Sequence, residues 1–263
     1  MNLHSTNNLE QDSRHDSLRE YAGKQLVSFL RKGDFAHAGE EEAIDLAFSN
    51  VEHGPEQTIL DVGCGLGGTA AYIQNHHLGQ VTGLDIEREA ILYAQKKYSE
   101  IPFHCCDVLN AADVITQKFD IICLFNAFYA FSEPLLALRT LNKLVKVKGK
   151  IIIFDYSDPC VKEITPLFNA GKNNTSPFRP IPLHSIDFLL EQSSWQPVKR
   201  IDLSLQYIQW YTQLINRLLE NETEIIHLFS QSLFQKALDT YLSIKRSLVA
   251  GLLGGILLYA EKV

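Results

Sequence analysis

Between Thr58 and Asp155, short and wholly apolar runs alternate with longer amphipathic stretches. Strands buried on both faces read as unbroken apolar runs, and the helices joining them are apolar on one side only. The alternation therefore demands a parallel sheet covered by helices on both faces. The runs predict strands over Thr58–Val62, Val81–Asp85, Phe103–Cys106, Phe119–Phe125 and Gly149–Asp155. The stretches between them predict helices over Gly68–His76, Glu87–Lys97, Ala111–Thr116 and Pro134–Leu144. The fold class is α/β, and 263 residues, 46% of them hydrophobic, suffice for one large domain.

Outside this block the pattern changes. Helical spacing over Ser17–Leu30 and Glu40–Ser49 precedes the first strand. Residues 160–182, rich in Asn, Thr, Ser, Pro and Gly, read as a long loop or lid. A helix over Ser185–Gln192, a strand over Val198–Leu205, helices within Tyr207–Phe234, a helix over Phe234–Val249 and a last strand over Gly255–Glu261 follow. The expected layout is a tail and helical cap over residues 1–50 and a core over 51–263, with lid insertions near 160–195 and 206–235.

The run Asp61-Val62-Gly63-Cys64-Gly65-Leu66-Gly67-Gly68 joins the first strand to a helix. Such a turn lets backbone approach a ligand that a Cβ would exclude, and the helix start adds oriented N–H groups. Its glycines also satisfy the dinucleotide spacing, so three acids carry the distinction. Asp61 stands where a carboxylate attracts a cationic amino group and repels a pyrophosphate. Asp85, 22 residues after Gly63, ends the second strand where ribose hydroxyls can donate to it. Asp107 follows the third strand, placed to accept from an adenine amino group.

In order, spacing and residue type, ILDVGCGLGGTA, GLDI, HCCDVL, FDIICLFNAF and GKIIIFDY resemble class I S-adenosylmethionine-dependent methyltransferases over roughly residues 36–156. The resemblance implies a Rossmann-like sheet of seven mostly parallel strands in the order 3-2-1-4-5-7-6. It implies S-adenosylmethionine as cofactor and S-adenosylhomocysteine as product. Gly63, Gly65 and Gly67 of the turn would lie against the cofactor, with Asp85 on the ribose and Ile86 packed on the adenine. Asp107 and Val108 would read the adenine edge, and Asn126 would face the cofactor. The layout is also similar to the phosphoethanolamine and sarcosine/dimethylglycine methyltransferases, in which Tyr156 matches a tyrosine that positions the amine. The histidine paired with that tyrosine has no counterpart in Asn126-Ala127-Phe128-Tyr129-Ala130-Phe131.

Methyl transfer from a sulfonium is an in-line displacement in which the cofactor already carries the activation, so alignment matters most and no metal is needed. Tyr156 is the candidate for binding the acceptor, and His37 or His184 for taking a proton. Phe128, Tyr129, Tyr156 and Tyr207 are candidates for the substrate pocket, although core packing accounts equally well for such aromatics. His104-Cys105-Cys106-Asp107 does not form a metal site, because consecutive strand residues point to opposite faces.

A small-molecule acceptor, with nitrogen or carbon as its nucleophile, is the expected partner. With a net charge of −7, the phosphate-neutralising surface that nucleic acid needs is not visible in bulk, and no nucleic-acid partner is expected. The five cysteines are odd in number and lie mostly in apolar runs, which suits reduced, buried thiols and the cytoplasm. The chain begins with no apolar leader, and the thirteen residues Leu248–Ala260 fall short of the roughly 20 a bilayer requires, so no membrane insertion is expected. A monomer or homodimer is expected. An NAD(P)-dependent oxidoreductase would use the same glycines, against Asp61 and Asp107, and a non-catalytic cofactor-binding protein stays open.

Overall fold

A computed structural model of the chain describes Leu18 and residues 21–159 and 178–263. Two helices, α1 (Tyr21–Arg31) and α2 (Glu40–Phe48), lead into the alternating block. That block runs β1 (Thr58–Val62), α3 (Gly68–Asn75), β2 (Gln80–Asp85), α4 (Arg88–Lys97), β3 (Phe103–Cys105), α5 (Ala111–Val114), β4 (Phe119–Phe125), α6 (Pro134–Leu144) and β5 (Val145–Asp158). The remainder is β6 (Ile181–Pro182), α7 (Ile186–Glu191), β7 (Trp195–Asp202), α8 (Ser204–Glu220), α9 (Glu222–Leu228), α10 (Gln231–Val249) and β8 (Gly254–Lys262).

The main sheet has the order β3-β2-β1-β4-β5-β8-β7, with β8 antiparallel to both neighbours. This is the expected arrangement, and the expected seven strands become eight because β6 pairs with the end of β5. A two-residue strand carries no alternation a sequence could show. Apolar side chains fill both faces. One layer joins Ile59, Ile121 and Phe154 to α1–α4 and α8–α10, and the other joins Leu60, Ile122 and Ile153 to α6, α7 and Trp195.

The last third departs most from the sequence pattern. The strand expected over Val198–Leu205 lies three residues earlier, anchored by buried Trp195, whose indole N–H donates to Leu138 O at 3.0 Å. It ends early because Asp202 accepts from both the amide and the hydroxyl of Ser204, turning the chain into α8. Tyr207–Phe234 divides between α8 and α9, and α10 starts at Gln231 because the Ser230 hydroxyl accepts from Leu233 N at 3.0 Å. Four free cysteines are described: Cys64 and Cys123 are buried, but Cys105, at the end of edge strand β3, is exposed, contrary to the expected burial. Cys160 and most of the expected lid lie outside the described residues. Among the described residues no helix is long and apolar enough to cross a membrane.

Candidate active site

Parallel pairing aligns the carboxyl ends of β1, β2, β4 and β5 on one edge and gathers Asp61, Asp85, Asn126 and Asp155 there. The connections of β1 and β4 diverge at this point, which is where open α/β sheets bind ligands. The glycines of the first turn divide the work. Gly63 has φ +78°, and a Cβ there would meet that of Ala127 at 2.5 Å, so the loop after β4 dictates this glycine. Gly65, at φ +55°, has nothing nearer its missing Cβ than Ala36 Cβ at 3.8 Å, so no close neighbour crowds this side of the turn. Gly67 packs against Phe103, Ala94 and Tyr98 rather than open space.

Asp61 is 1% exposed. Its Oδ1 meets only the Cys123 thiol at 4.0 Å, and its Oδ2 is buried with no partner. Burial, helped by the neighbouring Asp85, pushes its pKa up to about 7. Asp85 is well supplied: its Oδ2 accepts from Gly65 N at 2.8 Å, and its Oδ1 from Glu87 N at 2.9 Å and the Lys24 ammonium at 3.3 Å. Ile86 beside it is 68% exposed, a flat apolar surface at the mouth of the edge. Asp107 accepts from Leu109 N at 2.9 Å, and Val108 is buried. The expected cofactor residues therefore share one edge.

The cap is tied to this edge by polar contacts the sequence did not reveal. Asp34 accepts from Ser28 Oγ at 2.6 Å and Tyr93 Oη at 3.3 Å on one oxygen, and from Lys97 Nζ and Tyr98 Oη, both at 2.7 Å, on the other. Burial works to raise its pKa, but the hydrogen bonds from Lys97, Ser28 and Tyr98 prevail and hold it below the usual value. His37 is 1% exposed. Its Nδ1 donates to Ala38 O at 3.1 Å, so Nε2 accepts from the Thr69 hydroxyl at 3.0 Å. Burial lowers its pKa to about 3, leaving a neutral ring with both nitrogens engaged.

Asn126, at φ +50°, joins three elements: its Oδ1 accepts from Ala38 N at 3.2 Å, while its Nδ2 donates to Tyr207 Oη at 3.1 Å and Asp155 Oδ1 at 3.5 Å. Asp155, fully buried, also accepts from Tyr129 N at 3.1 Å and Tyr156 N at 2.7 Å. Burial carries its pKa to about 7 against these hydrogen bonds. Tyr156, Tyr129, Tyr207 and Phe178 form a ring cluster with centroids 5.1–5.5 Å apart, and Tyr156 and Tyr211 pair through their hydroxyls. Phe128 does not join them. The short turn after β4 sends its ring into the opposite layer against Phe131 at 5.5 Å, while Tyr129 turns toward Tyr156. His184 forms no part of the assembly given by these contacts. Sequence reasoning missed Lys24, Arg31, Asp34 and Asp155, of which only Asp155, inside the Phe154-Asp155-Tyr156 motif, had a local signal.

Comparison with known proteins agrees with this geometry. The family described as "Methyltransferase domain" matches residues 53–218. Phosphoethanolamine N-methyltransferase 1 of Arabidopsis thaliana is 26% identical over 185 residues, 67% of this chain, and this chain spans only 36% of that protein's length. The phosphoethanolamine N-methyltransferase of Plasmodium falciparum is 25% identical over 241 residues, covering 86% of this chain and 87% of that protein. The solved cyclopropane synthase of Mycobacterium tuberculosis shares the fold with a TM-score of 0.79 at 16% identity, covering 94% of this chain and 97% of that one. Because the match takes in more than half of the residues, including the glycine turn, all three acids and the strand edge that gathers them, the chain belongs to the methyltransferase-domain family.

Proposed function

We propose that this chain transfers a methyl group from S-adenosylmethionine to a nitrogen or carbon of a small molecule by in-line displacement, releasing S-adenosylhomocysteine. One observation carries the reading. The buried Asp61, its Oδ2 unpartnered, lies near the end of the strand that leads into a glycine turn whose Gly65 has no neighbour closer to its missing Cβ than 3.8 Å, with Asp85 on the adjoining strand. A lone buried carboxylate is costly unless a cation meets it, and the cofactor's amino group is such a cation. A pyrophosphate would make that cost larger.

The residues present fit the cofactor: Asp61 for the amino group, Gly65 for close approach, Asp85 for the ribose and exposed Ile86 for the adenine face. When bound it supplies an activated methyl on a sulfonium, which needs no Lewis acid. The protein's part is to orient the acceptor and exclude water. Tyr156, Tyr129 and Tyr207 wall the acceptor side, where their ring faces suit an amine or a developing cation. Asp155 and Asn126 hold the loop carrying Tyr129, and His37, neutral and engaged at both nitrogens, braces the cap rather than taking a proton. The helices Tyr21–Arg31 and Glu40–Phe48 of the cap and the stretches 178–195 and 206–235 serve as the cover. The free thiols suit a reducing compartment such as the cytoplasm.

Formation of S-adenosylhomocysteine from S-adenosylmethionine with a panel of amines, quinols and isoprenoids tests this reading. Turnover with a member of the panel is expected. Tight cofactor binding with no turnover on any of them would replace the enzyme with a binding protein.

A further inference from the structure

Asp85, the carboxylate proposed for the ribose, is already engaged by the protein. Its Oδ2 accepts from Gly65 N at 2.8 Å, and its Oδ1 accepts from Glu87 N at 2.9 Å and from the Lys24 ammonium at 3.3 Å. An ionised carboxylate offers about four acceptor positions, so three donors leave roughly one. A ribose presents two neighbouring hydroxyls and needs two. The amides of Gly65 and Glu87 are fixed by the glycine turn and by the start of α4, so neither can withdraw without moving backbone. Lys24, an ammonium on a flexible four-carbon stem, is the donor that can leave.

The helix that carries Lys24 is fastened unevenly. Towards the carboxyl end of α1, Ser28 donates to Asp34 at 2.6 Å and Arg31 donates to Glu40 at 3.0 Å. Asp34 in turn binds Tyr93 and Lys97 of α4 and Tyr98 just beyond it. The amino half of α1 meets the sheet edge through Lys24 and Asp85, beside the rings of Tyr21 and Tyr93, whose centroids are 6.2 Å apart. The side chains of Lys24 and Asp85 are 14% and 9% exposed, so salt screens the pair little. Lys24 also lies with Phe35, Ala36 and Leu66 around one small gap beside the turn. Breaking one ion pair therefore releases both the carboxylate and the amino half of the helix.

We propose that Lys24 is a latch that competes with the cofactor's ribose for Asp85. It holds the carboxylate in the unliganded chain, gives it up when S-adenosylmethionine seats, and takes it back as S-adenosylhomocysteine leaves. The proposal rests on the methyltransferase reading, with Asp85 as the ribose acceptor. Binding needs the released state, so the apparent affinity is the intrinsic one reduced by the fraction of molecules in which Lys24 is off Asp85. Cofactor and product are weakened alike, which shortens the stay of the spent cofactor.

The test compares S-adenosylhomocysteine binding to the full wild-type chain and to Lys24→Met, with affinity from calorimetry and association rate from surface plasmon resonance. Methionine keeps most of the apolar stem and removes the ammonium. Lys24→Met should bind about threefold tighter or more, with the gain in faster association. Lys24→Gln, also neutral, should bind tighter as well and decides the matter if Lys24→Met does not fold. Lys24→Arg keeps a charged donor and should bind no tighter than the wild type. A lysine that only fastens the cap gives the opposite sign, because its removal loosens the site and weakens the ligand. Unchanged or weaker binding by the neutral variants therefore overturns the proposal while cofactor binding stands. Failure of the wild type to bind S-adenosylhomocysteine overturns the methyltransferase reading and this proposal with it.

Discussion

Replacing Asp61 by asparagine should make the ligand-free protein more stable and the cofactor complex weaker. Its pKa of about 7 in the fold lies above the ordinary carboxylate value of 3.8, so between these pH values the native state holds a proton that the unfolded chain has lost. Stability from this group is full below about pH 4, declines as the pH rises toward 7, and is gone above it. The shift corresponds to about 4 kcal/mol for the ionised, unpartnered carboxylate. A neutral amide with an unmet donor costs roughly 1–3 kcal/mol, so Asp61→Asn should gain about 1–3 kcal/mol at pH 8. Losing a charge-assisted contact to the amino group of S-adenosylhomocysteine should weaken binding by roughly 10- to 150-fold at that pH. In the wild type, affinity should fall about tenfold per unit below pH 7, with a proton released on binding, and the variant should lack that slope. Denaturant unfolding at pH 5 and pH 8 and calorimetry across the same range measure all of this. Buried Asp155 adds a similar pH dependence to unfolding in both proteins, so the comparison between them isolates Asp61. A variant with wild-type affinity and the same slope would refute the placement of Asp61 against a cation.

Asp85→Ala should weaken S-adenosylhomocysteine binding at least tenfold, read by calorimetry, since Asp85 is the residue proposed for the ribose and also holds Gly65 N at 2.8 Å. Gly65→Leu should occupy the uncrowded side of the turn and abolish cofactor binding, while strain at φ +55° costs the fold only about 1–2 kcal/mol by thermal unfolding. Asp34→Ala leaves four donors without their acceptor and should lower stability by about 3 kcal/mol, with hydrogen exchange in Tyr21–Arg31 rising well above that in the sheet.

The sheet was legible because its central strands are buried on both faces. Thr58–Val62 and Phe119–Phe125 stand out as apolar runs and occupy those residues in the fold. The gathering of acids at one sheet edge, the edge proposed for the cofactor, was legible for a related reason, since acids at strand ends are displayed against apolar sequence. The cap was not legible. Asp34 takes its meaning from Lys97 and Tyr98, more than sixty residues away, and Arg31 from Glu40 and Arg217, so neither has a local pattern. Phe128 and Tyr129 are adjacent and both aromatic, and only the direction of one turn sends the first into the core and the second into the site. Asp202 with Ser204 moved a strand–helix boundary by three residues through a side-chain contact that apolar spacing does not register.

The glycine turn and its acids are proposed to hold a cationic methyl donor rather than a dinucleotide. Calorimetric titration of the full chain at pH 8 with S-adenosylmethionine and, separately, with NADH addresses this directly. Saturable one-to-one binding of S-adenosylmethionine and no binding of NADH is the expected result. Binding of NADH, with neither S-adenosylmethionine nor S-adenosylhomocysteine taken up, would contradict it.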